Sequence, residues 1–151
     1  QWSGAEYAGF STIEPWRPVH ENYLQVNVAA QENDPDSLLS HYQELIALRK
    51  EHPALGEEGI IILNTGTTRV FAALRHHQDE ILLVVVNLSD EPISDYLISG
   101  EEITLDDGSY DLETLFGDGE TQPATISDGR LWEFQPVPEL LPFSTHIMKF
   151  D

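Results

Sequence analysis

Histidines next to hydroxyl or acidic residues are the first places where this chain could do chemistry. A serine nucleophile needs a histidine within hydrogen-bond reach, but Ser40 and His41 are consecutive and would point away from each other on a helix. His76 and His77 are also consecutive, so on a strand they face opposite sides of the sheet. In a hairpin turn they would be solvated. Neither pair predicts a catalytic or metal site.

The acidic residues do not form a recognisable ligand set either. Residues 106–111 look like the start of a calcium loop, but the helix–loop–helix calcium loop requires glycine at its sixth position, and counting from Asp107 that position is Leu112. A polar turn is therefore favoured. Two carboxylates could cleave a glycosidic bond, but the chain has 27 Asp+Glu and no stretch singles out a pair. We expect no metal site, no cofactor and no catalytic residue within this chain.

Aromatic residues are the remaining candidates for ligand contact. Trp132 lies in an apolar stretch and is interpreted as a core residue or a strand-pair contact. Trp2, Phe10 and Trp16 fall in residues 1–33, which hold many aromatic side chains but no helical or strand periodicity. So many aromatic side chains must pack against something, either an absent neighbour or a ligand.

Composition excludes several classes of partner. The formal net charge is -20, so nucleic acid and anionic membranes are not expected as partners, because both require clustered positive charge. No cysteine is present, which excludes disulfides and thiolate chemistry. The longest apolar run, residues 81–86, is too short to cross a bilayer. We expect a cytoplasmic protein, and, because the chain starts at Gln1, one that was cut from a longer chain or processed.

One amphipathic helix precedes a β-rich region. Asp34 followed by Pro35 suits a helix start, and Pro53 ends the run, so a helix is predicted over 35–51. From residue 60 onward, short apolar segments alternate with turn signals, which is typical of an antiparallel β-sandwich with Greek-key links. The predicted strands are 60–63, 69–75, 81–88, 96–97, 102–105, 110–116, 124–126, 131–134 and 145–150, with residues 76–80 as a polar turn.

A series of motifs resembles the α-amylase family of glycoside hydrolases, in the branch of α-glucosidase, oligo-1,6-glucosidase and trehalose synthase. The match is specific in residues 1–55 and looser beyond them. The motifs are Gln1-Trp2 and residues 8–12, 15–19, 22–23, 26–31, 34–39, 45–50 and 52–55, followed by 83–89 and 141–150.

The resemblance implies a fold and a division of the chain. Residues 1–55 would be the end of a catalytic (β/α)8 barrel, namely the loop after its last strand and its last helix. Residues 56–151 would be a C-terminal antiparallel β-sandwich, so the fold class is mainly β. The implied partner is the missing barrel of the same polypeptide, which would carry the catalytic carboxylates and act on an α-glucoside. Trp2, Phe10 and Trp16 would lie near the substrate.

Two other function classes remain open from the residues themselves. The three tryptophans would suit a free-standing carbohydrate-binding module. The amphipathic helix would suit an interaction domain that docks on another chain.

Overall fold

The computed structural model describes residues 1–56 and 59–151. Glu57 and Glu58, which fall in the predicted boundary at 53–59, lie outside the described residues. The chain forms two compact units, Gln1–Leu48 and Arg49–Asp151. The predicted domain limits of 1–55 and 56–151 stay a prediction.

The first unit is built from short turns and the start of one longer helix. Two 3-10 turns, Glu6–Gly9 and Glu21–Leu24, precede the short helix α1, Val28–Gln31. The buried side chain of Asn27 caps α1, because its Oδ1 accepts a hydrogen bond from the Ala30 N–H at 2.9 Å. The lack of periodicity in residues 1–33 thus corresponds to turns held by side-chain hydrogen bonds.

Helix α2, Leu38–Glu51, starts three residues later than predicted. Ser37 rather than Asp34 caps it: the buried Ser37 Oγ accepts from the Ser40 N–H at 3.2 Å. Asp34 Oδ1 instead accepts from the Asp36 N–H at 3.0 Å, closing a turn before the helix. The Asp-Pro pair therefore marks the turn and not the first helical residue.

The second unit contains two antiparallel sheets, which confirms the predicted mainly-β sandwich. The strands are β1 Ile60–Ile62, β2 Val70–His77, β3 Glu80–Asn87, β4 Ile98–Gly100, β5 Gly108–Tyr110, β6 Leu112–Phe116, β7 Ala124–Ser127, β8 Arg130–Phe134 and β9 Thr145–Phe150. The first sheet has the order β1-β2-β3-β9-β6, and the second the order β4-β8-β7-β5. Strand β9 lies between β3 and β6, so strands far apart in sequence pair within the first sheet.

One apolar core joins the two sheets. Leu83 and Met148 from the first sheet and Ile98, Ile126 and Leu131 from the second are all at most 2% exposed and belong to the same cluster. Burial of this kind contributes roughly 25 cal/mol for each Å² of apolar surface removed from water. The core therefore fixes the strands of both sheets, and with them the side chains that the same strands carry on their outer faces.

Three strand predictions are wrong in detail. Residues 102–105 form no strand, because Glu102 takes a left-handed conformation (φ 56°) and the chain turns there, with Ile103 buried and its N–H bonded to the Gly129 carbonyl at 2.9 Å. The predicted strand 110–116 is two strands in different sheets, since the chain crosses between sheets at Asp111. The predicted strand at 96–97 is not formed, and the next strand, β4, begins at Ile98.

The predicted turn at 76–80 is shorter than expected. His76 and His77 belong to β2, and His77 pairs with Glu80 across the hairpin. Gln78 adopts a positive φ of 51°, which allows a tight connection. Within the described part of the chain, no helix has the length and apolar character needed to span a membrane.

Candidate functional site

The backbone around Trp2 is fixed on both sides by hydrogen bonds within the first unit. The Trp2 N–H donates to the Ala8 carbonyl at 2.9 Å, and the Trp2 carbonyl accepts from the Ala29 N–H at 3.0 Å. The Gln1 side chain adds a hydrogen bond from Nε2 to Asn22 Oδ1 at 2.9 Å. The segment that carries Trp2 is thus held against the turn at 6–9 and against α1, with the Trp2 side chain 61% exposed.

A left-handed turn leads to Phe10. Tyr7, Ala8 and Gly9 have φ values of 53°, 56° and 70°. For non-glycine residues this conformation costs on the order of 1 kcal/mol each, and such strain often marks a functional segment. At Gly9, where φ is positive, a Cβ atom would also collide with Ser3 Oγ, so glycine is favoured there. Phe10 follows the turn and stays half exposed.

An open groove of about 360 Å³ lies in the first unit and has Trp16 in its wall. Trp16 is 87% exposed, and the Arg17 guanidinium lies 4.6 Å from its ring centroid, which is a cation–π distance. The Glu6 carboxylate raises the pKa of the Tyr7 phenol above its ordinary value. The lining of the groove consists of Glu6, Tyr7, Glu14, Pro15, Trp16, Pro18, Val19 and Tyr23.

Of the three aromatic residues predicted to be near substrate, only Trp16 lines this groove. Trp2 and Phe10 are exposed on the same unit but are not part of its wall. Their closeness to a substrate stays a prediction. The size of the groove falls within the ~300–1,000 Å³ that small-molecule sites occupy.

A histidine–carboxylate pair exists in the second unit, but its partners indicate a structural role. His52 Nδ1 lies 2.7 Å from Glu80 Oε1, and the Ala54 N–H donates to Glu80 Oε2 at 2.9 Å. Burial acts to raise the pKa of Glu80, but the hydrogen bonds from Ala54 and His52 outweigh it, so the net pKa is lowered. Both carboxylate oxygens are occupied, and the pair holds residues 52–54 on strand β3.

No metal-binding cluster is found where the structure describes the chain, residues 1–56 and 59–151: no three His, Cys, Asp or Glu side chains group closely enough to hold an ion. His76 and His77 lie on β2, and the acidic residues 106–111 lie in the turn and strand around β5.

The core interpretation of Trp132 is wrong. Its side chain is 67% exposed, while Leu131 and Phe134 of the same strand fill the core. A second open groove of about 360 Å³ is lined by Thr125, Ser127, Arg130 and Trp132. Sequence reasoning missed this face, although the period-2 pattern of Ala124, Ile126 and Leu131 would have placed those four residues on the opposite side.

Comparison with known proteins gives a consistent relationship. Residues 1–58 match the alpha amylase catalytic domain family. The glucan 1,6-alpha-glucosidase of Streptococcus pneumoniae is 42% identical over 91 residues, covering 60% of this chain and 17% of that protein. The oligo-1,6-glucosidase of Halalkalibacterium halodurans is 36% identical over 117 residues, covering 75% of this chain and 21% of that protein.

The fold agrees with the sequence comparison. The crystal structure of a trehalulose synthase from Pseudomonas mesoacidophila superimposes with a TM-score of 0.71 at 34% identity, covering 100% of this chain and 24% of that one. The chain thus spans about a quarter or less of the length of the proteins that it matches. The resemblance read from the motifs in residues 1–55 is confirmed.

Proposed function

We propose, from the membership of residues 1–58 in the α-amylase catalytic domain family, that this chain is the non-catalytic C-terminal part of an α-glucosidase-type glycoside hydrolase. The whole enzyme hydrolyses or transfers α-glucosidic bonds of small oligosaccharides by a retaining mechanism. Residues 1–55 complete the catalytic barrel, and residues 56–151 form a β-sandwich that stabilises it. The partner of this chain is the barrel of the same polypeptide.

One observation carries this proposal. The chain is similar over its whole length to an enzyme of the family while covering only 24% of that enzyme. A retaining mechanism needs a carboxylate nucleophile and a carboxylic acid about 5 Å apart across the scissile bond. Two carboxylates, Glu6 and Glu14, line the groove beside Trp16, but the resemblance assigns the catalytic carboxyl groups to earlier strands of the barrel, so the proposal places both of them there.

The exposed apolar face of α2 supports a missing partner. Leu38, Tyr42 and Ile46 recur at helical spacing and are 67%, 58% and 51% exposed. An amphipathic helix gains most of its stability by covering such a stripe. In a (β/α)8 barrel the outer helices lie against the strands, and this stripe is the surface that would do so here.

The groove beside Trp16 supports a role at the edge of the sugar site. Loops that follow barrel strands form the active-site face of this fold. The indole of Trp16 offers an apolar face on which a pyranose ring can stack. Trp2, Phe10 and Trp16 are therefore proposed as substrate-proximal residues that bind and do not react.

The coding sequence upstream of Gln1 tests the proposal. We expect an open reading frame that continues upstream and encodes barrel strands with the Asp, Glu and Asp carboxylates of the family. The gene product carrying both parts should release glucose from an α-1,6-linked disaccharide. A start codon directly before Gln1, with no barrel encoded, would refute the proposed partner.

A further inference from the structure

Four side chains form a sugar-sized surface on the outer face of the second sheet. In the β7–β8 hairpin Ser127 pairs with Arg130 and Ile126 pairs with Leu131. Continuing this register places Thr125 opposite Trp132. Because alternate residues share a face, the pairs Ser127–Arg130 and Thr125–Trp132 lie on the same side of the hairpin. There they line a groove of about 360 Å³.

A strained bulge keeps Trp132 on this face while the next apolar residue enters the core. The pairing of β4 with β8 shifts between Ile98 and Gly100, and Glu133 takes a left-handed φ of 45°. The Glu133 N–H donates to Ser99 Oγ at 3.0 Å, which holds the bulge. As a result Phe134 is buried while Trp132 is 67% exposed. Bulges that re-aim side chains are frequent beside functional sites.

The chemistry of this face suits a neutral polyhydroxylated ring. An exposed indole provides a flat apolar surface for the C–H face of a pyranose. Thr125 and Ser127 offer hydroxyl groups that can donate and accept, and Arg130 offers guanidinium donors. Arg130 Nε lies 3.6 Å from Glu101 Oε1, so part of its charge is balanced, and the chain carries a net charge of -20. An anionic ligand is therefore disfavoured relative to a sugar.

We propose that this groove, hereafter the β7–β8 groove, is a non-catalytic binding site for an α-linked glucose oligosaccharide, in which Trp132 stacks on one glucosyl ring. The choice of α-glucan as the ligand rests on the proposed function. The existence of the site rests on the hairpin geometry alone.

The test measures binding of isomaltotriose and maltotriose to the whole 151-residue chain by calorimetry and by the indole N–H signals in NMR. We expect both sugars to bind and to shift the Trp132 signal, and β-linked cellotriose to bind more weakly. Trp132→Ala should weaken binding about tenfold, which equals 1.4 kcal/mol. Arg130→Gln should weaken it by a smaller factor.

Trp16→Ala is made alongside to report any binding by the first unit. Phe143→Ala is the matched control, because Phe143 is an aromatic residue of the second unit that is as exposed as Trp132 but does not line the groove. It should leave binding at the β7–β8 groove unchanged. Thermal unfolding of Trp132→Ala should match that of the parent chain, because the side chain is exposed. This separates loss of binding from loss of fold.

Three results would overturn the inference. Sugar binding that persists in Trp132→Ala and disappears in Trp16→Ala would assign binding to the first unit and leave the proposed function intact. Absence of binding at tens of millimolar sugar would show that the groove does not bind sugar. A dimer in sedimentation that Trp132→Ala abolishes would show that a second copy of the chain covers the groove. Activity of the whole enzyme is not a readout here, so failure of this site and failure of the proposed function stay distinguishable.

Discussion

Asn87 shows how a single polar side chain joins distant parts of the second unit. It is 1% exposed and lies at the end of β3. Its Nδ2 donates to the carbonyls of Glu91 at 2.7 Å and Leu141 at 3.0 Å, and its Oδ1 accepts from the Ser89 N–H at 2.9 Å. A buried amide with this many partners fixes the loop after β3 against the segment before β9.

Asn87→Ala is expected to lower the free energy of unfolding by about 1–3 kcal/mol, because buried carbonyl groups lose their donor. Urea denaturation followed by circular dichroism measures the change. Asn33→Ala removes one exposed amide hydrogen bond of 2.8 Å and serves as the control, with a loss of under about 0.5 kcal/mol. Equal effects for the two variants would contradict the bridging role of Asn87.

His146 is a buried titratable group on β9. It is 4% exposed, and its Nε2 has no hydrogen-bond partner among the described residues. Burial lowers the pKa of the His146 imidazole below its ordinary 6.5, and the nearby Asp118 carboxylate offsets only part of this. The neutral form is therefore the one that the fold holds.

Stability should depend on pH through this histidine. Since the folded pKa is lowered, the unfolded chain binds the proton more readily. The contribution is present above pH 6.5 and is lost as the pH falls through the folded pKa. Urea unfolding from about pH 8 to about pH 5 should show a smaller loss for His146→Gln than for the parent chain. His41→Gln, at an exposed helix position, controls for removal of one imidazole; an unchanged slope in His146→Gln would be inconsistent with this account.

At the scale of elements, two residues are candidates for the N-cap of α2, namely Ser37 and Asp34. Ser37 is 7% exposed, accepts from the Ser40 N–H at 3.2 Å and donates to the Gln31 carbonyl at 2.8 Å. Asp34 makes its backbone-directed bond outside the helix. The helix is therefore capped by Ser37, whereas the sequence analysis predicted Asp34 as the cap because Pro35 follows it.

Ser37→Ala is expected to cost about 1 kcal/mol and to reduce the helical signal in circular dichroism. Asp34→Ala should cost less, because its side chain caps a turn. The comparison of the two thermal denaturation curves provides the measurement. A larger cost for Asp34→Ala would restore the earlier cap assignment.

Strands with strong apolar character were predictable, while irregular ones were not. β2, β3 and β9 follow directly from runs of buried residues, because each lies in the middle of a sheet. The bulge at Glu133, the turn at Glu102 and the sheet crossing at Asp111 depend on contacts far apart in sequence. The period-2 pattern of β7 and β8 would have placed Trp132 on the outer face, whereas the return of Phe134 to the core depends on the bulge at Glu133.

At the scale of the whole molecule, the two units differ in how much they bury. Within residues 1–48 only Ala8, Asn27 and Ser37 are buried, whereas the second unit has a continuous core. In the first unit, family motifs were more informative than hydrophobic periodicity. Its turns are held by specific side-chain hydrogen bonds, and such turns leave no periodic pattern in the sequence. Many of its large apolar side chains, among them Trp2, Trp16 and Leu38, remain exposed.

Glucose release from isomaltose by the pure 151-residue chain tests the central claim most directly. The account predicts no release above the buffer control, because under the proposed function the catalytic carboxylates would belong to the barrel and not to this chain. The measurement should be repeated with the gene product that carries both parts, which is expected to turn over. Turnover that copurifies with the chain alone through successive separations would contradict the assignment of this chain as non-catalytic.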